Sequence, residues 1–288
     1  MPSQRQLKGR IRSVKSTKQI TKAMQMVAAS KMRRAQEAEQ ATLDYTRTAN
    51  ELLTYLASQG ATDDHPLFIK RDIRTRLLIV IASDKGLAGA YNSNVLKQYL
   101  SEVKADRTAG IRTLTITVGR KVSQFASRLS DVETLASYND LPDELEGSEF
   151  HAILATAAQM YRNKEVDAVD VIYTEFVSSM VQTATRRRLL PAGFVTTEVT
   201  ESVRMAEYEP SVEAVLEGVA YRLVGAQIYQ AMLDARASEH SMRMIAMKNA
   251  TDNASDLVDD LTLAMNKARQ AAITQELAEI SGGSEAMK

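Results

Sequence analysis

Two stretches of this 288-residue chain carry almost none of the residues that stop a helix, and this limits its fold more than any other feature. After Pro2 the next proline is Pro66, and between Gly9 and Gly60 there is no glycine. Proline removes a backbone donor and clashes with the preceding turn, and glycine weakens a helix interior, so their absence favours a long helix. Ser3 followed by Gln6 has the form of a capping box, in which hydroxyl and amide satisfy orphan backbone N–H groups. The sequence predicts one helix from Ser3 to Ser58, about 84 Å at 1.5 Å per residue, with Gly9 weakening its first turns. At the other end Pro210-Ser211 is a start signal, and Glu213 suits the positive end of a helix dipole. Only Gly218 and Gly225 interrupt before Gly282-Gly283, which has the form of a stop. That second helix would span about 71 residues, or about 105 Å.

Helices of this length need an apolar partner along their course. Met247, Ala250, Ala254, Leu257, Leu261, Ala264, Ala268, Ala271, Gln275 and Ala278 are spaced alternately 3 and 4 apart, and nine of the ten are apolar. A 3.5-residue repeat implies a left-handed coiled coil. Met24, Ala28, Met32, Ala35, Thr42, Ala49, Leu52 and Leu56 follow it less strictly in the first helix. The simpler alternative is a pair of amphipathic helices in an ordinary bundle, although bundle cores favour residues larger than Ala.

Between about 67 and 208 the pattern changes. Leu77-Leu78-Ile79-Val80-Ile81 is a continuous apolar run, as in a strand covered on both faces. A glycine-containing turn, Ser83 to Asn92, follows, and then helical spacing over Val95–Val103. Strand patterns cover Ile111–Val118, Val132–Ala136 and Val166–Phe176, with an edge strand over Arg186–Leu190. Helical patterns cover Val122–Leu129 and Gly147–Asn163. Alternating strands and helices predict a small Rossmann-like α/β domain with a mainly parallel sheet, inserted between two terminal coiled-coil helices. The expected division is 1–60, 67–208 and 209–288.

Charge is distributed unevenly. Lys plus Arg and Asp plus Glu are each 36, a formal net charge of zero. Yet residues 1–36 hold ten Lys or Arg and no acid, which leaves 26 basic and 36 acidic residues for the rest. A basic arm of this kind fits nucleic acid, a transit peptide, an anionic membrane or an acidic protein surface. No aromatic precedes Tyr45, which argues against single-strand stacking, and the helical pattern runs on unbroken, which argues against a transit peptide. Paired antiparallel, the arm would meet residues 249–288, where seven acids face three bases. That answers only part of its charge.

Chemistry is harder to find. There is no cysteine, so thiolate metal sites, disulfides and cysteine nucleophiles are excluded. Ser83-Asp84-Lys85-Gly86-Leu87-Ala88-Gly89 follows a strand and precedes a helix, where phosphates bind in α/β folds. It lacks the Gly-Lys-Ser/Thr ending of a phosphate loop. The sequence predicts a tight turn presented to a partner, through Asp84, Lys85, Gly86 and Gly89. His65, His151 and His240 lack ligand spacing, and Asp259-Asp260 diverge on a helix. Arg186-Arg187-Arg188 has the form of a solvated edge. No apolar run approaches the roughly 20 residues that span a bilayer. The expectation is a non-enzymatic chain without cofactor, metal, nucleic-acid partner or transmembrane insertion.

At three places the sequence resembles the gamma subunits of F-type ATP synthases. They are Ile20-Thr21-Lys22-Ala23-Met24-Gln25-Met26-Val27-Ala28-Ala29-Ser30-Lys31-Met32, the turn from Ser83 to Asn92, and the stretches Ser238–Ala254 and Asn266–Glu276. The resemblance covers essentially the whole chain. It implies a central rotor shaft turning inside a ring of alpha and beta subunits, in contact with the epsilon subunit and a membrane c-ring. It also implies that proton flow is coupled to ATP synthesis or hydrolysis, with catalysis in the partners. By the same resemblance Lys22, Met24, Arg33 and Arg34 would face an acidic region of the catalytic subunits. Arg243, Gln270, Thr274 and Glu276 would match positions that couple rotation to catalysis. The cysteine-bearing insert of chloroplast members is absent, which favours a bacterial chain held peripherally at the cytoplasmic side of the cell membrane.

Overall fold

The computed structural model describes residues 4–129, 132–142 and 148–285. In chain order the elements are α1 (Gln4–Ser58), β1 (Thr75–Ile81), α2 (Tyr91–Ala109), β2 (Arg112–Val118), α3 (Arg120–Ala126) and β3 (Glu133–Tyr138). After them come α4 (Ser148–Arg162), β4 (Ala168–Phe176), β5 (Gln182–Leu190), α5 (Glu201–Arg204) and α6 (Val212–Glu285). The two terminal helices are 55 and 74 residues long, as the missing helix breakers predict. The Ser3 cap and Gly147 lie outside the described residues. Ser211 accepts the Ala214 N–H at 3.2 Å and starts α6. Glu213 in the first turn is lowered from its ordinary pKa by backbone and Ser211 hydrogen bonds. Gly282-Gly283 does not stop α6, which continues to Glu285. Glycine tolerates helical as well as left-handed backbone, so it marks a possible end without enforcing one.

The chain divides into two compact units, 1–28 with 243–288, and 29–242.

In the 29–242 unit a five-stranded sheet has the order β3-β2-β1-β4-β5. β1 is parallel to β2 and β4, β2 is parallel to β3, and β5 runs antiparallel at the edge. The expected mainly parallel sheet is therefore present. Alternation along β1 divides its side chains between two layers. Leu77, Ile79 and Ile81 pack with Ile153, Leu154 and Tyr161 of α4 and Ala220, Val224 and Ile228 of α6. Leu78 and Val80 pack with Val95, Tyr99 and Val103 of α2 and Val122 of α3. A strand covered on both faces must be apolar throughout, and this explains the unbroken run. Gly225 permits the α4–α6 approach, since a Cβ there would lie 2.8 Å from Leu154 Cδ2. A third cluster joins Leu53 and Leu56 of α1 to Leu216 and Leu223 of α6.

In the unit formed by 1–28 and 243–288 the two helices pair antiparallel. Thr21 Oγ1 lies 2.7 Å from Thr251 Oγ1, and Lys18 Nζ donates to Ser255 Oγ at 2.7 Å. From Met247 to Ala268 the wholly or partly covered positions of α6 are Met247, Ala250, Thr251, Ala254, Ser255, Val258, Leu261, Thr262, Met265, Asn266 and Ala268. This is the expected 3.5-residue repeat with one correction. Met247, Ala250, Ala254, Leu261 and Ala268 hold the predicted positions, but Val258 and Met265 are covered in place of Leu257 and Ala264. Leu257 and Ala264 are exposed, as are Ala271, Gln275 and Ala278. On α1 the covered series is Leu7, Ile11, Val14, Lys18, Thr21, Gln25 and Ala28, again spaced 4 and 3. It begins well before Met24, where the sequence pattern was first taken up.

Candidate functional site

The turn after β1 is held by its own polar side chains. Ser83 N–H donates to Asn92 Oδ1 at 3.1 Å, and Ser83 Oγ donates to Lys85 O at 2.6 Å. Asp84 Oδ1 accepts the Arg120 N–H at 2.9 Å and the Asp140 N–H at 3.0 Å. Those donors stand at the carboxyl edge of the sheet, where an α/β fold would place a phosphate. Here a carboxylate uses them, and its charge would repel an anion. Gly119 brings α3 against this turn, for a Cβ there would lie 2.2 Å from Ala82 O. Lys85, Gly86 and Gly89 are exposed, as is Leu87, at φ 63°. The turn is thus a rigid loop that presents a lysine and a leucine outward.

The other named residues divide between the two units. In the unit of 1–28 and 243–288, Lys22 is exposed and donates to Gln25 Oε1 at 3.3 Å, while Met24 and Arg243 are half-buried. Gln270, Thr274 and Glu276 are exposed and lie beyond Ala268, where the coverage of α6 by α1 ends. Thr274 Oγ1 donates to Gln270 O at 2.9 Å, within its own helix. In the 29–242 unit, Arg33 and Arg34 are exposed on α1 and line a shallow hollow with Ala29, Ser30 and Glu37. Arg5, Lys8, Arg10, Arg12 and Lys15 are exposed too, and Lys18 and Lys22 take neutral partners. Much of the basic arm therefore faces outward.

The arginine run is corrected. Arg186 and Arg188 do not simply face solvent. Strand alternation sends them to the α2 side, where both donate to Asp170 of β4, a residue with no exposed surface. Arg76 completes the cluster, bonding Asp170 at 3.1 Å, Asp106 at 2.8 Å and Glu102 at 3.1 Å. Three guanidinium groups meet three carboxylates, so the burial leaves no net charge. Arg187 points to the opposite face, with its guanidinium 5.4 Å from the Tyr173 ring centre. Of the histidines, His65 Nε2 lies 2.9 Å from Glu217 Oε2, His240 is buried and His151 is exposed.

Sequence reasoning missed Asp234. It is buried on α6 within the apolar stretch Ala231-Met232-Leu233, and its placement there was the available signal. Burial and the neighbouring Glu39 push its pKa up to about 7.

Among the described residues there is no cluster of His, Cys, Asp and Glu that could hold a metal ion, and no helix is long and apolar enough to cross a membrane. Fold and surface together define a class: two long terminal helices with a doubly covered α/β sheet between them in sequence. A family profile described as ATP synthase matches residues 3–287. The chain is 39% identical over 289 residues to the ATP synthase gamma chain of Acidithiobacillus ferrooxidans, and 37% identical over 294 to that of Heliobacterium modesticaldum. Both alignments cover all of each chain. Among solved structures, one chain from the Euglena gracilis mitochondrial ATP synthase has a TM-score of 0.70 at 22% identity, covering 99% of this chain and 94% of its own. A second, from the Tetrahymena thermophila central stalk and c-ring, has a TM-score of 0.58 at 25% identity, covering 80% of this chain and 99% of its own. The chain belongs to the ATP synthase family, among its gamma chains, which form the central stalk of the F-type enzyme.

Proposed function

We propose that this chain is a non-catalytic rotor shaft that carries torque between a membrane c-ring and a catalytic head of alpha and beta subunits. An epsilon subunit would be its companion, and the complex would couple proton flow to ATP synthesis or hydrolysis. The observation that carries this reading is the full-length match to gamma chains joined to the pattern of exposure. Long helices whose far end is uncovered, with Ile273, Leu277 and Ile280 exposed among alanines and polar residues, suit a shaft that sits inside a sleeve of surrounding subunits. Exposed Lys22 with half-buried Met24 in one unit, and exposed Arg33 and Arg34 in the other, each suit an acidic surface on the surrounding subunits, and electrostatic complementarity there would set register. Gln270, Thr274, Glu276 and Arg243 are read as coupling contacts, and Asp84, Lys85, Gly86 and Gly89 as a partner-facing loop. The division into 1–60, 67–208 and 209–288 is retained as the functional one, two shaft helices and an inserted foot domain. Attachment would be peripheral, on the cytoplasmic side of a bacterial membrane.

Native mass spectrometry of the membrane ATPase purified through a tag on this chain tests the reading. One copy with three alpha and three beta subunits, an epsilon subunit and a c-ring is expected. Several copies per complex, or recovery as a free chain alone, would overturn it. Nucleic-acid binding makes a different forecast, a steep loss of DNA affinity with rising salt.

A further inference from the structure

Within the 29–242 unit, α6 lies against the sheet through small and aliphatic side chains. Val224, Ile228, Ala231 and Ala235 form one buried stripe at helical spacing. Apolar contact has no direction, so by itself it lets a helix roll on its bed. Ser238 continues the stripe, Ser241 follows it on the same side of the helix, and neither has any exposed surface. A hydroxyl inside a helix often turns back to the carbonyl four residues earlier. Thr262 and Thr274 of α6 do so. Ser238 and Ser241 reach out of the helix instead. Ser238 Oγ donates to Thr174 O of β4 at 3.1 Å, and Ser241 Oγ donates to Ser179 O, in the turn between β4 and β5, at 2.8 Å. Gln182 Nε2 donates to Ser241 Oγ at 3.1 Å and to Ser178 O at 2.9 Å, which uses both amide protons. The turn is closed by the Ser178 N–H on Val181 O at 2.9 Å and the Val181 N–H on Ser178 O at 3.2 Å. Both serines therefore end on backbone carbonyls of a braced hairpin, which cannot follow the helix as a loose side chain would.

We propose that Ser238 and Ser241 hitch α6 to the β4–β5 hairpin and fix its angle about its own axis. They are positioning residues through which torque passes between the sheet and the shaft helix. The inference rests on the shaft reading and deepens it. Hydrogen bonds are directional where apolar contact is not. Turning α6 by about 20° would carry a hydroxyl about 4 Å from the helix axis through about 1.4 Å, enough to take it out of hydrogen-bonding range. Rolling is thus resisted at the hitch, while the stripe below it supplies adhesion.

The double variant Ser238→Ala/Ser241→Ala removes both bonds and leaves the apolar packing in place. Tyr99→Phe is the control, since it removes a buried hydroxyl bond to Thr115, 2.9 Å long, on the other face of the sheet. Hydrogen exchange of the full chain reads the hitch without reference to rotation. Amides of residues 176–182 should exchange about fivefold faster in the double variant, the equivalent of one neutral hydrogen bond, and at the parent rate in Tyr99→Phe. The assembled enzyme, with its catalytic head fixed and a probe on Lys104→Cys of α2, reads the torque path. At limiting ATP the angular spread of the probe during pauses should widen in the double variant and not in Tyr99→Phe. ATP-driven proton pumping against a gradient should fall, with the unloaded ATPase rate unchanged. An unchanged exchange rate, or a parental angular spread in a double variant whose parent turns normally, overturns the hitch alone. A probe that fails to turn in the parent as well overturns the shaft reading and the role of the hitch with it.

Discussion

In the 29–242 unit, Leu77, Leu78, Ile79, Val80, Ile116, Val171 and Ile172 have no exposed surface, and helices cover both faces of the sheet. In the unit of 1–28 and 243–288 the covered residues form one narrow stripe, and several of them are Ala, Thr, Ser or Lys. Burying a large aliphatic side chain contributes about 1.5–3 kcal/mol, whereas an Ala or Thr contributes much less. The first unit is therefore stabilised by its core. The second is defined mainly by register, through Thr21 with Thr251 and Lys18 with Ser255.

The largest expected effect lies in the 29–242 unit. Asp170→Ala leaves Arg76, Arg186 and Arg188 without their shared acceptor and should cost about 3–5 kcal/mol. Urea unfolding of the full chain would show it, and a loss below 1 kcal/mol would mean that this cluster is not what secures β4 to β5. Next comes Gly119→Ala, which drives a Cβ into the Ala82 carbonyl at a left-handed φ of 99° and should cost about 2–3 kcal/mol in the same assay. Within the paired ends, Thr251→Ala should cost about 1 kcal/mol, read as faster exchange of the amides around Thr21. A Thr251→Ala effect as large as that of Asp170→Ala would erase the contrast between the units. The smallest effect settles the phase of the seam. Leu257→Ser should change stability by less than about 0.5 kcal/mol, because Leu257 is exposed, while Val258→Ser should cost about 1 kcal/mol. Equal losses would restore the seam through Leu257 and Ala264.

These cases also show what the sequence could and could not reveal. The gap without Pro or Gly located the end of α1 at Ser58, and the apolar run of β1 located a strand covered on both sides. The heptad period was legible, but its phase was not. Leu257-Val258 and Ala264-Met265 are adjacent apolar pairs, and only the partner helix decides which member turns inward. Thr251 is polar, yet its hydroxyl donates to the Met247 carbonyl at 2.8 Å and so enters the seam at little cost. Arg186-Arg187-Arg188 misled for a related reason. Their acceptor, Asp170, lies on the neighbouring strand, and antiparallel register brings Asp170 opposite Arg188. Of the candidate site, the exposed loop and basic residues were readable from their chemistry. Asp84 as the group that occupies the phosphate position was not, because its donors come from Arg120 and Asp140, far along the chain.

The absence of cysteine allows a direct test of the shaft. Lys104→Cys places a single thiol on the exposed face of α2, where a bead or filament can be attached to the assembled enzyme with its catalytic head fixed to a surface. On adding ATP the probe should turn in one direction, in three steps per revolution. A probe that stays fixed or only fluctuates while ATP is hydrolysed at the normal rate would contradict the account.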